Sequence, residues 1–203
     1  MKSMNTDDST IIDLLRHGEP VGGKKYRGWT DDPLTDLGWA QMRKAARPPY
    51  PWNQIVTSPL LRCREFAEDL SRRANLPLIV DDRLKEVGFG EWEGRTSEAI
   101  EAIQPGALQR FYQSPAKARP ANAEPLADFQ ARVSIALSDL LRDHQGKHVL
   151  VITHAGVIRT AICHTLHAPL HAVYRNQVDY AGLTRLTHTD DRPLSLVFHN
   201  LKP

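Results

Sequence analysis

Three things are scarce in this chain of 203 residues: cysteine, charge of one sign, and long apolar runs. The two cysteines, Cys63 and Cys163, exclude a disulfide-stapled scaffold. Each falls on a helical pattern beside apolar neighbours, where a small buried thiol and no disulfide are expected. With 26 basic and 24 acidic residues the formal net charge is only +2. That leaves no electrostatic footprint for nucleic acid or a membrane surface, so an anionic ligand has to be held by local arginines. No apolar run approaches the roughly 20 residues of a membrane span, and the opening MKSMNTDDST has no apolar signal-peptide core. The expectation is a cytoplasmic protein with one domain over residues 1–203, of which residues 1–9 form a flexible N-terminal extension. Neither a composition break nor an internal repeat divides it.

What the chain does have is alternation. Short β-branched or leucine-rich runs bounded by Pro, Gly, Asp or Asn predict strands at 11–15, 54–57, 77–80, 149–153, 182–187 and 195–199. Thr35 is placed to cap a helix running to about Ala46, and Ser58-Pro59 reads as a cap with proline at the first helical position. From there Leu60, Cys63, Phe66, Ala67, Leu70 and Ala74 keep one apolar face. Leu126, Phe129, Val133, Leu137 and Leu140 do the same after Pro125, and a further helix starts at Ala155. This order predicts an α/β fold of three layers, a mostly parallel central sheet with helices on both faces. Two segments stand outside it. Residues 18–34, rich in Gly and Pro and mixing charges with aromatics, read as a ligand-facing loop. Residues 104–125 carry Pro105, Pro115, Pro120 and Pro125 around Leu108-Gln109-Arg110-Phe111-Tyr112, and fit a lid or a plain surface connection equally.

Two histidines stand where buried strands run out. Ile11-Ile12-Asp13-Leu14-Leu15 leads into Arg16-His17-Gly18-Glu19, and Val149-Leu150-Val151-Ile152-Thr153 leads into His154-Ala155-Gly156. Ligands of open α/β sheets sit outside the carboxyl ends of the strands, so both imidazoles are delivered to that edge. Phosphoryl transfer requires an in-line nucleophile, fixed positive charge on the equatorial oxygens, and a proton donor for the departing alkoxide. A neutral His17 can attack through one ring nitrogen while a hydrogen bond to the other fixes the tautomer. Arg16 and Arg62 offer planar forks that match phosphate oxygens, and Arg62 lies in the first turns of a helix, where the dipole also favours an anion. His154 adds a second imidazole donor. In Leu84-Lys85-Glu86-Val87-Gly88-Phe89-Gly90-Glu91-Trp92-Glu93-Gly94 a carboxylate sits on a glycine-rich loop able to bring it near substrate.

These residues resemble the histidine phosphatase superfamily, also called phosphoglycerate-mutase-like. The likeness is carried by Arg16-His17-Gly18-Glu19, by Thr57-Ser58-Pro59-Leu60-Leu61-Arg62, by Glu86 with Phe89-Gly90-Glu91-Trp92-Glu93-Gly94, and by Thr153-His154-Ala155-Gly156. Each motif is weak alone; in this order and at these strand and helix ends they are specific. The resemblance implies a phosphoglycerate-mutase-like fold and a phosphohistidine intermediate on His17. It further implies a phosphate pocket of Arg16, Arg62 and His154, with Glu86 as general acid and then general base for water, and no metal or cofactor. The Phe-Gly-Glu-Trp-Glu-Gly loop and the modest length are similar to the phosphatase branch. The stretch from Gly22 to Leu34, with Gly38-Trp39-Ala40-Gln41-Met42, is most similar to members assigned as α-ribazole-5′-phosphate phosphatases of cobalamin assembly. Two positions depart from the family pattern: Gly22-Gly23 replaces an asparagine that many members carry, and Ala123-Glu124-Pro125 stands for the usual Gly-Glu-Ser.

Blander readings compete. Glu91 and Glu93 share the loop of Glu86, and the resemblance favours Glu86. Glu19 is read as bracing its loop, while Arg27 either reaches phosphate or pairs with Asp31 or Asp32. Gly28, Trp29 and Glu124 are candidates for substrate contact or loop support, and Trp29 and Trp92 either flank a substrate ring or pack. His164, His167 and His171 have helical spacing, but Pro169 interrupts it and no Cys or carboxylate completes a zinc set. The leading expectation is a cofactor-independent phosphomonoesterase acting on a small phosphorylated substrate, with α-ribazole 5′-phosphate as the best candidate. A mutase returning the phosphoryl group to a second hydroxyl, a broad-specificity sugar or nucleotide phosphatase, and a catalytically dead binding protein on the same fold are the alternatives.

Overall fold

The computed structural model describes residues 9–202, so the expected N-terminal extension lies, apart from Ser9, outside the described residues. The strands are β1 (Thr10–Arg16), β2 (Gln54–Thr57), β3 (Leu78–Val80), β4 (His148–Thr153), β5 (Leu183–Thr189) and β6 (Arg192–Leu201). They form a mixed sheet in the order β3-β2-β4-β1-β5-β6. The β1–β4, β2–β4 and β2–β3 pairs are parallel, as the alternation of elements predicts, and β5 and β6 complete the sheet as antiparallel neighbours. Both extend beyond the predicted runs because they form one hairpin, in which Thr189 pairs with Arg192.

The helices are α1 (Asp36–Ala45), α2 (Leu61–Ala74), α3 (Ser97–Ile103), α4 (Ala107–Gln113), α5 (Leu126–Asp143) and α6 (Ala155–Thr165). The central strands are buried on both faces, which is why they read as continuous apolar runs. Ile12, Leu14, Val149 and Val151 share a core with Phe129, Val133 and Leu137 of α5 and Ile158 of α6. On the other face Leu15, Ile55, Leu150 and Ile152 join Met42 of α1 and Phe66 and Leu70 of α2. Cys63 and Cys163 are buried free thiols. No helix among the described residues is long and apolar enough to cross a membrane.

Thr35 caps α1 as expected, its Oγ1 accepting the Gly38 N–H at 3.0 Å. Ser58 does not cap α2. That helix begins at Leu61 after an extended Leu60, and the Leu61 N–H donates to Asp31 Oδ1 (2.6 Å), a carboxylate from the 18–34 loop. The Ser58 hydroxyl accepts the Leu60 N–H (3.3 Å), ahead of the helix, and lies 2.7 Å from His154 Nε2, so the local signal is present but does not start the helix. The segment 104–125 is not structureless: α4 occupies its middle and Phe111 is fully buried in the core. The sequence reading has no counterpart for α3, which Thr96 starts by accepting the Ala99 N–H at 3.3 Å.

Candidate active site

Register brings the two histidines together. In the parallel pair β1–β4, Arg16 lies opposite Thr153, and the His17 N–H continues the ladder by donating to Thr153 O at 2.9 Å. The next residue of each strand is a histidine, and their rings meet edge-on with centroids 5.3 Å apart. His17 Nδ1 is 2.7 Å from Gly18 O. A carbonyl only accepts, so the ring proton is on Nδ1 and the Nε2 lone pair is free. Burial first, and then the charges of Arg62 and Arg16, hold the His17 pKa well below the ordinary imidazole range. A buried, neutral, tautomer-locked imidazole suits a nucleophile.

His154 departs from the expected geometry. It is fully buried and is not among the residues lining the neighbouring cavity. Its Nε2 lies 2.7 Å from Ser58 Oγ and its ring packs edge-on against His17, one residue removed from the cavity wall. Cys63 lies beside it, Sγ 3.6 Å from Nε2, and burial pushes that thiol well above its usual pKa. Such a thiol is not a competing nucleophile.

Arg16 and Arg62 line the cavity with His17. Arg16 Nη1 donates to Val178 O (2.6 Å) and its guanidinium lies 4.1 Å over the Tyr180 ring. Arg62, 1% exposed, donates from Nη1 to Thr30 O and from Nη2 to Gly28 O, both at 2.8 Å. Neither forms an ion pair with a carboxylate among the described residues, and Nε of each is buried without a hydrogen-bond partner. Buried cations are normally paired. Two without a carboxylate at ion-pair distance, countered only from farther off by Glu86 and by Asp179 or Asp31, make a site for an anion beside a neutral histidine.

Of the three loop carboxylates, Glu86 alone lines this cavity. Its Oε1 accepts the Val87 N–H at 2.9 Å and its Oε2 the Gly156 N–H at 3.2 Å. The carboxylate takes the place a β-carbon would occupy at Gly156, so a larger residue there would push Glu86 aside. Glu93 faces inward and accepts the N–H groups of Trp29 (3.1 Å) and Phe89 (3.0 Å), while Glu91 lines a separate cavity of about 40 Å³.

The remaining candidates divide. Arg27 pairs with Asp32 (3.1 Å) and donates to Val21 O and Gly23 O, yet still lines the cavity beside Glu19 and Gly28. Glu19 braces its loop through its backbone, its N–H donating to Gln41 Oε1 at 2.9 Å. Trp29 does not line the cavity; its indole N–H donates to Glu86 O at 2.9 Å. Trp92 does not flank a ligand either, being 4% exposed in a core cluster with Tyr26 and Phe111. Glu124 is ion-paired with Arg132 at 2.7 Å. Tyr26, Phe89, Tyr112 and Tyr174 add an aromatic wall to a cavity of about 830 Å³, and Arg159 also lines it. Of these, Tyr112, Tyr174 and Arg159 carry no local motif, and only the fold collects them. Among the described residues no group of three or more His, Cys, Asp or Glu is placed to hold a metal ion.

The buried histidines set a pH dependence. Their pKa values are depressed, so below about pH 6.5 the unfolded chain binds protons that the native site refuses. Stability is complete above that pH and falls below it, by up to about 1.4 kcal/mol per histidine per pH unit. Asp13 acts lower. Burial raises its pKa, but hydrogen bonds from His148, Arg185 and Trp52 outweigh this and hold it at about 2. Its contribution is therefore present above about pH 4 and lost only as the pH falls toward 2. Denaturant titrations of the ligand-free protein should show a loss of roughly 3 kcal/mol from His17 and His154 between pH 7.5 and 5.5, halved in His17→Gln. An unchanged slope in that variant would mean His17 is not held neutral.

A histidine held neutral between two unpaired arginines at the carboxyl edge of an α/β sheet defines a phosphate-handling enzyme, and comparison with known proteins agrees. The family model "Histidine phosphatase superfamily (branch 1)" matches residues 12–201, and the chain belongs to that superfamily. It is a histidine-phosphatase-type phosphoric monoester hydrolase. The putative phosphoserine phosphatase 2 of Hydrogenobacter thermophilus is 28% identical over 191 residues, covering 92% of this chain and 93% of that protein. Bacillus stearothermophilus YhfR superposes with a TM-score of 0.83 at 30% identity, over 93% of this chain and 95% of that one. The mycobacterial glucosyl-3-phosphoglycerate phosphatase Rv2419c gives 0.82 at 27%, over 95% and 99%.

Proposed function

We propose that the protein hydrolyses a small phosphorylated metabolite in two displacements at this cavity. His17 Nε2 attacks phosphorus and the bond to the leaving oxygen breaks, Glu86 giving that oxygen a proton. Glu86 then takes a proton from water, which attacks the phosphohistidine, freeing His17 and inorganic phosphate. The observation that carries the reading is the neutral His17 beside Arg16 and Arg62, neither of which has a carboxylate at ion-pair distance. The phosphoryl group fills only a small part of the cavity, so the substrate has a bulky organic portion in contact with the aromatic wall. A nucleoside-like ester such as α-ribazole 5′-phosphate fits that description and is the first substrate to assay.

The test is phosphate release from a panel of α-ribazole 5′-phosphate, phosphoserine, 3-phosphoglycerate, sugar phosphates and nucleotides, with rapid quenching of labelled substrate. Released phosphate together with acid-labile, alkali-stable label on His17 supports the reading. Isomerised phosphoglycerate without phosphate release would establish a mutase, and no turnover of any ester would leave a binding protein.

Arg16→Ala and Arg62→Ala should each lower kcat by roughly 10²–10³, the usual cost of removing one preorganised donor to transition-state charge. Arg62→Lys should not restore the rate, since an ammonium cannot hold the two loop carbonyls and a phosphate oxygen in one plane. Effects confined to thermal stability would place these arginines outside the reaction.

A further inference from the structure

The carboxylate of Glu86 can act at a leaving oxygen only if its loop is held still, and one residue that the chemistry does not otherwise use gives that loop three hydrogen bonds, more than Trp29, Arg119, Glu124 or Thr153 gives it. Arg132, on α5, donates from Nη1 to Arg83 O (2.6 Å) and Lys85 O (2.8 Å), and from Nη2 to Glu86 O (3.0 Å). Its orientation is set by Glu124, whose Oε1 accepts from Nε at 2.7 Å and Oε2 from Nη2 at 2.9 Å. Glu124 also grips the far side of the same loop, accepting the Gly88 N–H at 3.1 Å, and its own N–H donates to Gly88 O at 3.1 Å. The guanidinium rests 4.6 Å over the Phe129 ring, itself buried in the core. A second tie joins the same elements, Arg83 Nη1 to Asp139 Oδ2 on α5 at 2.5 Å. Glu86 is thus fixed through its backbone to the rigid core, while its carboxylate is left facing the cavity.

We propose that Arg132 and Glu124 are positioning residues for proton transfer by Glu86. This rests on the reading of Glu86 as the acid. The bidentate pair supplies two things a surface ion pair does not: a planar fork bridging three carbonyls, and partial burial, with side chains 20% and 10% exposed. A lysine at 132 keeps the charge and loses the fork. A displacement of about 1 Å at a reacting group can cost on the order of 10²-fold in rate, so loosening this loop should be felt in the chemistry before it is felt in the fold.

The experiment compares phosphoenzyme formation by rapid quench from an alkyl phosphate, whose leaving group needs a proton, and from p-nitrophenyl phosphate, whose leaving group does not. Arg132→Lys and Glu124→Gln should each slow the alkyl ester about tenfold or more and the nitrophenyl ester by less than about threefold. Affinity for inorganic phosphate should be unchanged, because Arg16, His17 and Arg62 are untouched. In a Glu86→Gln background neither substitution should slow the alkyl ester further. Equal slowing of both esters, or a loss that persists without Glu86, would reduce the pair to a structural brace and overturn the proposal. Should Arg132→Lys fail to fold, Glu124→Gln, which keeps its volume and an acceptor for Gly88, decides alone. Glu86→Gln by itself reports on the underlying reading: if it shows no leaving-group preference, the acid is elsewhere and this proposal falls with it. If it does and the pair's variants do not, only the positioning role fails.

Discussion

His17→Ala is expected to abolish turnover, a loss on the order of 10⁶ in kcat, the scale seen when a covalent nucleophile is removed. Nothing nearby can substitute. His154 does not line the cavity, and the Cys63 thiol is buried with its pKa pushed far up. The fold should survive, because the ring contributes one short hydrogen bond to Gly18 and ring contacts to His154 and Tyr180 while the strand pairing around it is backbone. Vanadate or inorganic phosphate should still raise the thermal midpoint through Arg16 and Arg62, since a ligand that binds only the native state stabilises it. Measurement of kcat, label trapping and thermal shift on the one variant separates chemistry from binding. Residual phosphate release with label on another side chain would move the nucleophile.

Glu86→Gln should show the second largest effect, and a selective one. A sugar or alkyl oxygen must be protonated as it leaves, so losing a positioned acid should slow phosphoenzyme formation from such an ester by roughly 10²–10⁴. Nitrophenolate leaves unaided and should depart nearly as fast as from the wild type. The comparison has to use the rapid first phase, because in the proposed mechanism the same residue activates water and its loss would also slow dephosphorylation. Glu91→Gln and Glu93→Gln should carry no leaving-group preference, because neither carboxylate lines the cavity that holds His17. A preference appearing at Glu91 would transfer the role there.

The central strands, the helices after Thr35 and Pro125, and the meeting of His17 with His154 were legible because each rests on a local rule. Apolar runs mark doubly covered strands, the Thr35 cap marks the start of α1 and an apolar face in step marks α5, and parallel strands deliver their following residues to one edge. What was not legible depends on partners distant in sequence. Ser58 looks like a cap until His154, nearly a hundred residues on, engages its hydroxyl. Trp92 and Trp29 sit close together on two loops, yet one packs into the core and the other braces Glu86, a difference set by Phe111 and the path of the chain. Arg132 has the spacing of an ordinary polar helix face, and only the return of residues 83–88 gives it three carbonyls to hold.

The tie between Arg62 and the carbonyls of Gly28 and Thr30, answered by Asp31 holding the Leu61 N–H, joins the 18–34 loop to the start of α2, so under the proposed function substrate selection and phosphate affinity are not modular. On the proposed function, the loop beside the organic part of the substrate hangs from the helix end that carries the arginine assigned to the phosphate. Grafting a relative's 18–34 segment alone would change the anchor along with the selectivity, and the two properties would drift together through a mutational series. An engineer seeking a new substrate at constant phosphate affinity would have to transplant residues 57–62 with the loop, as one inherited unit.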